Sequence, residues 1–243
     1  MPLKMMKTIE SILIDAQQQL QMLIQAAYGF LSITHYDTKS AQQFAMVSLH
    51  IRTIHLAIGC GASAEKAAFP CLPPLVRAMW EAILDLDNLL RDPDYWKHML
   101  SASYKERLKL ARAASPEKAN PFLASVGLAI DLESTIADDS ANRDRLRSDS
   151  RRELQVLEKA QKAGRVHEYE SLYCTLSLDA HNSVLSIQND YLERQPDGTL
   201  HLAFLSDHLK VRGVTDLVLS GALLLESIEK ASTLEFVGEF RHG

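Results

Sequence analysis

The sequence is poor in the residues that interrupt helices. Its 243 residues include only ten glycines and eight prolines, and apolar residues recur every three or four positions along most of the chain. Sandwiches and barrels need many short strands separated by turns that are rich in these two residues. The low count argues against such folds, and we predict an all-α protein, a bundle of about eight or nine helices.

Cysteine is also scarce. The three cysteines are Cys60, Cys71 and Cys174. Their number is odd, and none of them forms a C-x-x-C pair, so the sequence predicts neither a disulfide framework nor a structural zinc site. Reduced thiols in a cytoplasmic protein are the expectation that fits.

The chain lacks a surplus of positive charge and lacks long apolar runs. Its formal net charge is -5, so we do not expect long-range attraction to nucleic acid or to an anionic membrane. The first residues show no apolar signal-peptide region. The most apolar segment, Leu217 to Leu225, lies between Asp216 and Glu226 and is well short of the roughly 20 residues that a membrane span requires. We therefore expect no membrane association.

Capping and breaking residues predict where the helices begin and end. We predict a single domain over residues 1–243, with a core at about 40–190, and we find no repeat or linker. The predicted elements are a first helix ending before Tyr36; a second from Ser40 to Gly59-Cys60-Gly61; a third from Pro74 to Arg91; a fourth through Trp96 to Leu110; a fifth from Asn120-Pro121 to about Ala137; a sixth over Asn142 to Ala163; a seventh from Val166 past His181; one short hairpin near residues 196–204; and a last helix at about 206–232.

The predicted third helix carries a row of polar residues. Its segment from Leu75 to Leu90 is apolar on most of its circumference and must be largely buried. Arg77, Glu81 and Asp85 nevertheless follow one another at intervals of four residues. Side chains at that spacing share one side of a helix, so the pattern predicts a polar row on an otherwise apolar helix.

The predicted seventh helix carries a second row with the same spacing. It is formed by Tyr169, Tyr173, Ser177 and His181. Because an unpaired buried polar group costs about 1–3 kcal/mol, we expect the two rows to face each other or a shared cavity. Our hypothesis is one site made of five residues: Arg77, Glu81, Tyr173, Ser177 and His181.

Two interpretations of this site remain open. If it is functional, Arg77 would anchor a carboxylate or phosphate, His181 would shuttle protons with Glu81 orienting it, and Ser177 would be the candidate nucleophile. No nucleophile elbow or oxyanion-hole motif accompanies Ser177. If it is structural, the same groups form a network that sets helix register. We favour a binding or interaction module with a buried polar pocket for a small anionic ligand or a partner segment.

The same residues resemble a bacterial family of helical proteins of unknown function. That family has an R-x-x-x-E helix followed by a Y-x-x-x-S-x-x-x-H helix, which Arg77 with Glu81, and Tyr173 with Ser177 and His181, match. Further matching positions are Gly61, Ala64, Leu86, Leu89, Leu90, Asp92 and Pro93. The resemblance covers roughly residues 40 to 190. It implies that the five residues belong together, and it implies no activity.

A cluster of arginines lies in the predicted sixth helix. Its members are Arg143, Arg145, Arg147, Arg151 and Arg152. Such a cluster could bind phosphates, but four aspartates in the same stretch, Asp138, Asp139, Asp144 and Asp149, leave a surplus of a single positive charge. We favour a salt-bridged, solvated helix face over an RNA-binding groove.

An alternative function is a metal-independent ribonuclease. Helical ribonuclease toxins of the HEPN type carry an arginine followed by a histidine after four to six residues, a pattern that Arg91 with His98 and Arg194 with His201 both fit. Chance alone produces about one or two such pairs in a chain of this composition. The motif match therefore carries little weight, and the alternative is tested by replacing the two histidines and measuring RNA cleavage.

The sequence offers few candidate metal ligands. Glu-x-x-His pairs are absent, which argues against a di-iron bundle. Glu81, Asp85 and His181 are the remaining candidate ligands for a single ion, and we expect no metal and no cofactor. The long first and last helices, with apolar residues such as Leu234 in the tail, favour a homodimer.

Overall fold

The computed structural model describes residues 8–115, 120–123, 131–180, 183, 188, 190–202 and 207–238. Nearly all of the regular structure in these ranges is helical, which confirms the all-α prediction. The elements are α1 (Ile9–Ile33), α2 (Ala41–Glu65), a 3-10 turn (Phe69–Cys71), α3 (Leu72–Arg91), α4 (Trp96–Ala113), α5 (Leu132–Ser148), α6 (Val156–Ala163), α7 (Val166–Glu168), a π-helical turn (Tyr169–Tyr173), α8 (Cys174–Ala180), β1 (Leu192–Arg194), β2 (Leu200–Leu202) and α9 (Asp207–Gly238).

The chain forms two compact units. Unit 1 comprises Met1–Asp87 and Ala160–Gly243, and unit 2 is the intervening Asn88–Lys159. The units are defined by their internal contacts, which do not show whether either unit folds independently. The prediction of a single domain therefore stays a prediction.

The core of unit 1 lies where α1, α2 and α9 pack together. Apolar side chains from all three helices are buried there, among them Leu20, Ile54 and Leu224. His50 is buried in the same core, where its Nδ1 lies 2.8 Å from the hydroxyl of Ser227. Burial lowers the pKa of His50 to about 4, so this histidine is neutral at physiological pH and belongs to the packing.

Helix α2 is apolar enough to cross a membrane by length and composition, and it is the one described helix for which this is true. Its most apolar window has a mean hydropathy of 1.3. The core helix of a folded protein can have the same composition, and Ile54, Ala57 and Cys60 are fully enclosed within unit 1. The prediction of no membrane association stays a prediction.

The predicted end of the second helix is wrong. The glycines at 59 and 61 do not stop α2, which continues to Glu65. Gly59 instead allows close packing, because a Cβ atom placed there would lie 3.3 Å from Cδ1 of Leu75. A glycine weakens a helix by roughly 1 kcal/mol relative to alanine, and tertiary contacts readily offset that cost.

The predicted division between the fifth and sixth helices is also wrong. One helix, α5, runs from Leu132 to Ser148 and is capped by the carboxylate of Asp131, which accepts from the backbone N–H of Ser134. Residues 120–123 form a turn, and 124–130 lie outside the described residues. The chain then breaks after Ser148, where Ser150 adopts a φ of +60°, and α6 starts at Val156. In unit 2, α5 packs against α4.

Other local signals are confirmed. The side chain of Ser40 caps α2, and Gly164 stops α6 with a φ of +72°. Gly198 has a φ of +87° in the turn of the hairpin, whose strands pair Leu192 with Leu202. Only glycine adopts positive φ angles with almost no strain. The helix end at Gly164 and the turn at Gly198 were therefore predictable from the local sequence.

Candidate functional site

Helix α3 presents Arg77 and Glu81 on the least buried side of a buried helix. The two are one turn apart, and Nε of Arg77 donates to Oε1 of Glu81 at 3.1 Å. Their side chains are 20% and 35% exposed, whereas Met79 and Ile83 on the opposite side are fully buried. Asp85, the third member of the predicted row, is buried.

Tyr173 reaches Arg77 from a distant part of the sequence. Nη2 of Arg77 donates a 2.7 Å hydrogen bond to the hydroxyl oxygen of Tyr173. The guanidinium carbon also lies 4.7 Å from the centroid of the Tyr173 ring, a cation–π distance. The structure therefore brings together three of the five residues that the sequence grouped.

The π-helical turn Tyr169–Tyr173 shapes the aromatic part of the site. The rings of Tyr169 and Tyr173 stack with centroids 5.1 Å apart and an interplanar angle of 17°. The Tyr173 ring is also 5.2 Å from the ring of Trp80 on α3. Single π-helical turns are rare and occur frequently at functional sites. This one places two tyrosines of the predicted row beside the Arg77 guanidinium.

The remaining two residues of the predicted site are Ser177 and His181. The Ser177 hydroxyl donates to the backbone carbonyl of Tyr173 at 2.7 Å, so its proton is engaged within its own helix. This geometry does not present an activated nucleophile. His181 lies outside the described residues, and its role as a proton shuttle stays a prediction.

The environment raises the pKa of Tyr173. Burial contributes most, and the negative charge of Glu81 adds to it, while the charge and hydrogen bond of Arg77 and the nearby Ser177 side chain act in the opposite direction. A tyrosine whose pKa is already near 10 and is raised further keeps its proton at neutral pH. The site therefore contains a guanidinium, a carboxylate and a phenol hydroxyl.

Sequence reasoning missed a charge cluster beside this site. Nε1 of Trp80 donates to Oε2 of Glu168 at 2.9 Å, and Nη1 of Arg165 donates to the same carboxylate at 2.8 Å. Nε of Arg165 donates to Oδ2 of Asp87 at 2.6 Å. The one local signal was Arg165 itself, which directly follows the glycine that ends α6.

Helix α9 completes this cluster. Glu226 accepts from Arg165, and Lys230 pairs with both Glu226 and Asp87. Burial alone would lower the pKa of Arg165, but its hydrogen bonds and charge interactions with Glu168 and Asp87 outweigh burial and raise it. The arginine is always charged, and it links α3, α7 and α9 within unit 1.

A second buried cluster surrounds Arg212 on α9. Its guanidinium pairs with Asp179 and donates to Oδ1 of Asp190 at 2.5 Å, and Oδ2 of Asp216 lies 4.0 Å from its Nε. Burial raises the pKa of Asp216 to about 7; the charge of Arg212 opposes this, and the charges of Asp179 and Asp190 add to it. One guanidinium cannot stabilise all three carboxylates fully, so Asp216 is about half protonated at neutral pH.

The two histidines of the ribonuclease alternative have different surroundings. In unit 2, His98 is buried, and its Nδ1 lies 2.6 Å from the backbone carbonyl of Arg152. In unit 1, His201 lies on β2 and is exposed. His98 therefore has a structural partner, and the ribonuclease alternative stays a prediction that depends mainly on His201.

Ion pairs occupy most of the arginine cluster in unit 2. Arg143 pairs with Glu153, Arg151 pairs with Asp92, and Arg152 pairs with Glu158. Hydrogen bonds and the charge from Arg152, with help from the backbone of Gln155, lower the pKa of Glu158 to about 2. The expected salt bridges are present, but the expected helix face is wrong, because Arg151 and Arg152 lie beyond the end of α5 at Ser148.

Grooves lie elsewhere on the described part of the chain, and two of them are lined by the residues named below. The first has a volume of about 300 Å³ and lies between α1 and α2, lined by side chains such as Gln17, Gln21 and Glu65. The second, of about 360 Å³, lies between α4 and α5 in unit 2. Within the described ranges, no three His, Cys, Asp or Glu side chains are placed to hold a metal ion. The side chains of Arg77 and Glu81 are partly exposed, and the pocket predicted around them, which includes His181 outside the described residues, stays a prediction.

Comparison with known proteins identifies a family and nothing more specific. No curated protein and no solved structure matches this chain. The model of one family, described as a family of unknown function (DUF5677), matches residues 43–199. That range is more than half of the chain and includes both α3 and the π-helical turn Tyr169–Tyr173. The chain therefore belongs to the family of unknown function DUF5677, in agreement with the expected helical family of unknown function.

Proposed function

We propose that this protein is a binding module in which Arg77 takes the carboxylate or phosphate of a small anionic ligand. The proposal is supported by the partial exposure and the fixed orientation of the Arg77 side chain. It is partly exposed, yet its guanidinium is held in one orientation by partners that include Glu81 on its own helix and Tyr173 from the π-helical turn. An oriented guanidinium loses little conformational entropy when a ligand binds.

The chemistry of the cluster suits an anion. A guanidinium offers a planar fork of N–H donors that matches carboxylate and phosphate oxygens. The Tyr173 hydroxyl keeps its proton and adds a neutral donor next to that fork. The stacked rings of Tyr169 and Tyr173 supply an apolar wall for the rest of a small ligand.

Glu81 gives the site its counter-ion in the absence of ligand. Its side chain is about one-third exposed, and exposed ion pairs are worth only about 0–1 kcal/mol. A ligand oxygen can therefore replace Glu81 at the guanidinium at little cost. It follows that removing the charge of Glu81 should strengthen anion binding.

Binding fits the described residues better than catalysis. A nucleophile needs a base within hydrogen-bond reach, and the Ser177 hydroxyl donates to a backbone carbonyl instead. Recognition of an anion requires only the donors that are already in place around Arg77.

The test is a thermal-shift screen of small carboxylates and phosphates. A ligand present at 100 times its Kd should stabilise the protein by about 2.7 kcal/mol. We expect Arg77→Ala to abolish the shift and Glu81→Gln to lower the Kd several-fold. Arg52→Ala, which removes an exposed arginine of α2, is the matched control.

Three outcomes would contradict the proposal. They are the absence of any shift in the wild-type protein, equal effects of the Arg77 and Arg52 variants, and weaker binding by Glu81→Gln.

Location and assembly belong to the same proposal. We place the protein in the bacterial cytoplasm, where Cys71 and Cys174, which are free and exposed, would stay reduced. We also propose a homodimer, for which α1 offers exposed apolar side chains such as Met22 and Ile33. Light scattering on the purified protein distinguishes a dimer from a monomer.

A further inference from the structure

The second groove, in unit 2, is lined almost entirely by positive charge. Three of its residues come from one side of α4, Lys105, Lys109 and Arg112, and Arg143 comes from α5. The fifth lining residue is Leu108, which is buried. Among the described residues, no carboxylate lines the groove, in contrast to the salt-bridged surface around it.

The carboxylates nearest to the groove neutralise only part of this charge. Glu153 pairs with Arg143 and lies 3.9 Å from Nζ of Lys105. Burial would raise the pKa of Glu153, but the hydrogen bond and charge of Arg143, together with the charge of Arg147, lower it, so this carboxylate is ionised. Glu106 lies 3.7 Å from Lys109, and both are exposed. Within the part of unit 2 that the structure describes, these four cations and two carboxylates leave an excess of two positive charges.

Arg143 supplies a second observation. Its side chain is only 19% exposed, and its Nε is buried without a hydrogen-bond acceptor among the described residues. A buried N–H group that lacks an acceptor costs about 1–3 kcal/mol. This unsatisfied donor belongs to one of the four cations that line the groove.

We propose that this groove binds a compact ligand that carries two or more phosphate groups. Its volume, about 360 Å³, is within the range of about 300–1,000 Å³ that small-molecule sites occupy. Lysine and arginine together suit phosphate oxygens, lysine as a point charge and arginine as a fork. The described lining residues include no aromatic ring, so they offer no platform on which a base could stack.

The proposal concerns residues of unit 2, and it does not depend on Arg77 of unit 1. The two can therefore fail separately. Arg77→Ala should leave oligophosphate binding at the groove unchanged, and substitutions in the groove should leave the Arg77 site unchanged.

The test is isothermal titration calorimetry of the full chain with inorganic tripolyphosphate at about 0.15 M salt, where charges more than about 8 Å apart are screened. We expect Lys109→Glu and Arg112→Glu each to weaken binding by about tenfold or more. Arg145→Glu is the matched control, because it makes the same change of charge at an exposed position of α5 outside the groove. Lys109→Ala, a milder change on an exposed side chain, should give a smaller loss and guards against an unfolded variant.

Further arms identify the source of the phosphates. Binding of ATP as tightly as tripolyphosphate, with no binding of adenosine, supports recognition of the phosphates alone, whether they are free or part of a nucleotide. Lack of tripolyphosphate binding would overturn the proposal, as would equal losses in the Arg145 and Lys109 variants. An RNA oligonucleotide that binds more tightly as its length increases would overturn it in favour of a nucleic-acid surface.

Discussion

Nη2 of Arg77 donates a 2.7 Å hydrogen bond to the hydroxyl of Tyr173, a residue 96 positions later in the chain. This contact joins the buried helix α3 to the π-helical turn. It places a charged group against two stacked tyrosine rings, one from Tyr173 and one from Tyr169. The contact orients the guanidinium that we propose as the anion-binding group of unit 1.

Tyr173→Phe tests the contact directly. The substitution keeps the ring that stacks on Tyr169 and removes only the hydroxyl that accepts from Arg77. We expect the free energy of unfolding to fall by about 1 kcal/mol, the usual net value of such a hydrogen bond, as measured by urea denaturation. Tyr28→Phe, which alters an exposed tyrosine of α1, should change it by less. Equal effects of the two variants would mean that the contact does not stabilise the fold.

The raised pKa of Asp216 predicts how the stability of the protein depends on pH. Burial raises its pKa from 3.8 to about 7, so between these two values the folded state binds more protons than the unfolded state. Stability from this group is fully present below pH 3.8 and is lost as the pH rises through 7. The loss is on the order of 3 kcal/mol, from about 1.4 kcal/mol per pKa unit with allowance for coupling to the neighbouring charges.

Asp216→Asn isolates this effect. His50, whose pKa is lowered to about 4, contributes stability of the opposite sign, gained as the pH rises from 4 to 6.5. The wild type and the variant share that contribution, so the difference between their denaturation curves reports Asp216 alone. Asp144→Asn, at an exposed position, should follow the wild type. A difference between wild type and Asp216→Asn that is constant from pH 4 to 8 would contradict the prediction.

Gly213→Ala should destabilise unit 1. A Cβ atom at this position of α9 would lie 2.4 Å from Cδ1 of Phe69, whose ring is buried. Overpacking of this kind costs about 1–3 kcal/mol. Gly61→Ala in α2 is the contrasting change, because nothing lies within 4 Å of its Cβ position and alanine favours a helix by roughly 1 kcal/mol. Thermal unfolding should therefore show opposite shifts of Tm, and equal shifts would contradict this packing.

Arg165→Met should cost more than the loss of an ordinary surface ion pair. The substitution leaves Asp87, Glu168 and Glu226 with Lys230 as their remaining cation in the cluster. Breaking a buried pair by removing one partner costs about 3–5 kcal/mol, and partial exposure places this case near the lower value. Arg52→Met is the exposed control. A loss below about 1 kcal/mol in denaturant titration would show that the cluster is only a surface network.

The ribonuclease alternative gives a further prediction. If the protein cleaves RNA, cleavage should depend on His201, which is exposed, because His98 is buried against the carbonyl of Arg152. We expect His98→Ala to lower the free energy of unfolding whether or not any cleavage occurs. Cleavage of a labelled RNA that persists in the His201→Ala and His98→Ala variants would exclude both arginine–histidine pairs.

Much of the fold was predictable because its determinants are local. Helical periodicity, the Ser40 cap and the positive φ of Gly164 and Gly198 depend on residues within a few positions of each other. The end of α2 was not predictable, because Gly59 packs against Leu75 and the energy of that contact is tertiary. The start of α5 was missed because Asn120-Pro121 offered an equally good local cap, whereas the cap that the structure uses is Asp131.

The sequence alone determined the helical class and the spacing that pairs Arg77 with Glu81, since both follow from the geometry of a single helix. Only the tertiary structure decided that Tyr173 meets Arg77, that Trp80 and Arg165 share Glu168, and that three aspartates surround Arg212. Side-chain spacing within a helix is set by the backbone repeat. Which helices face each other, and how much water reaches their charges, is set by packing that involves the whole chain.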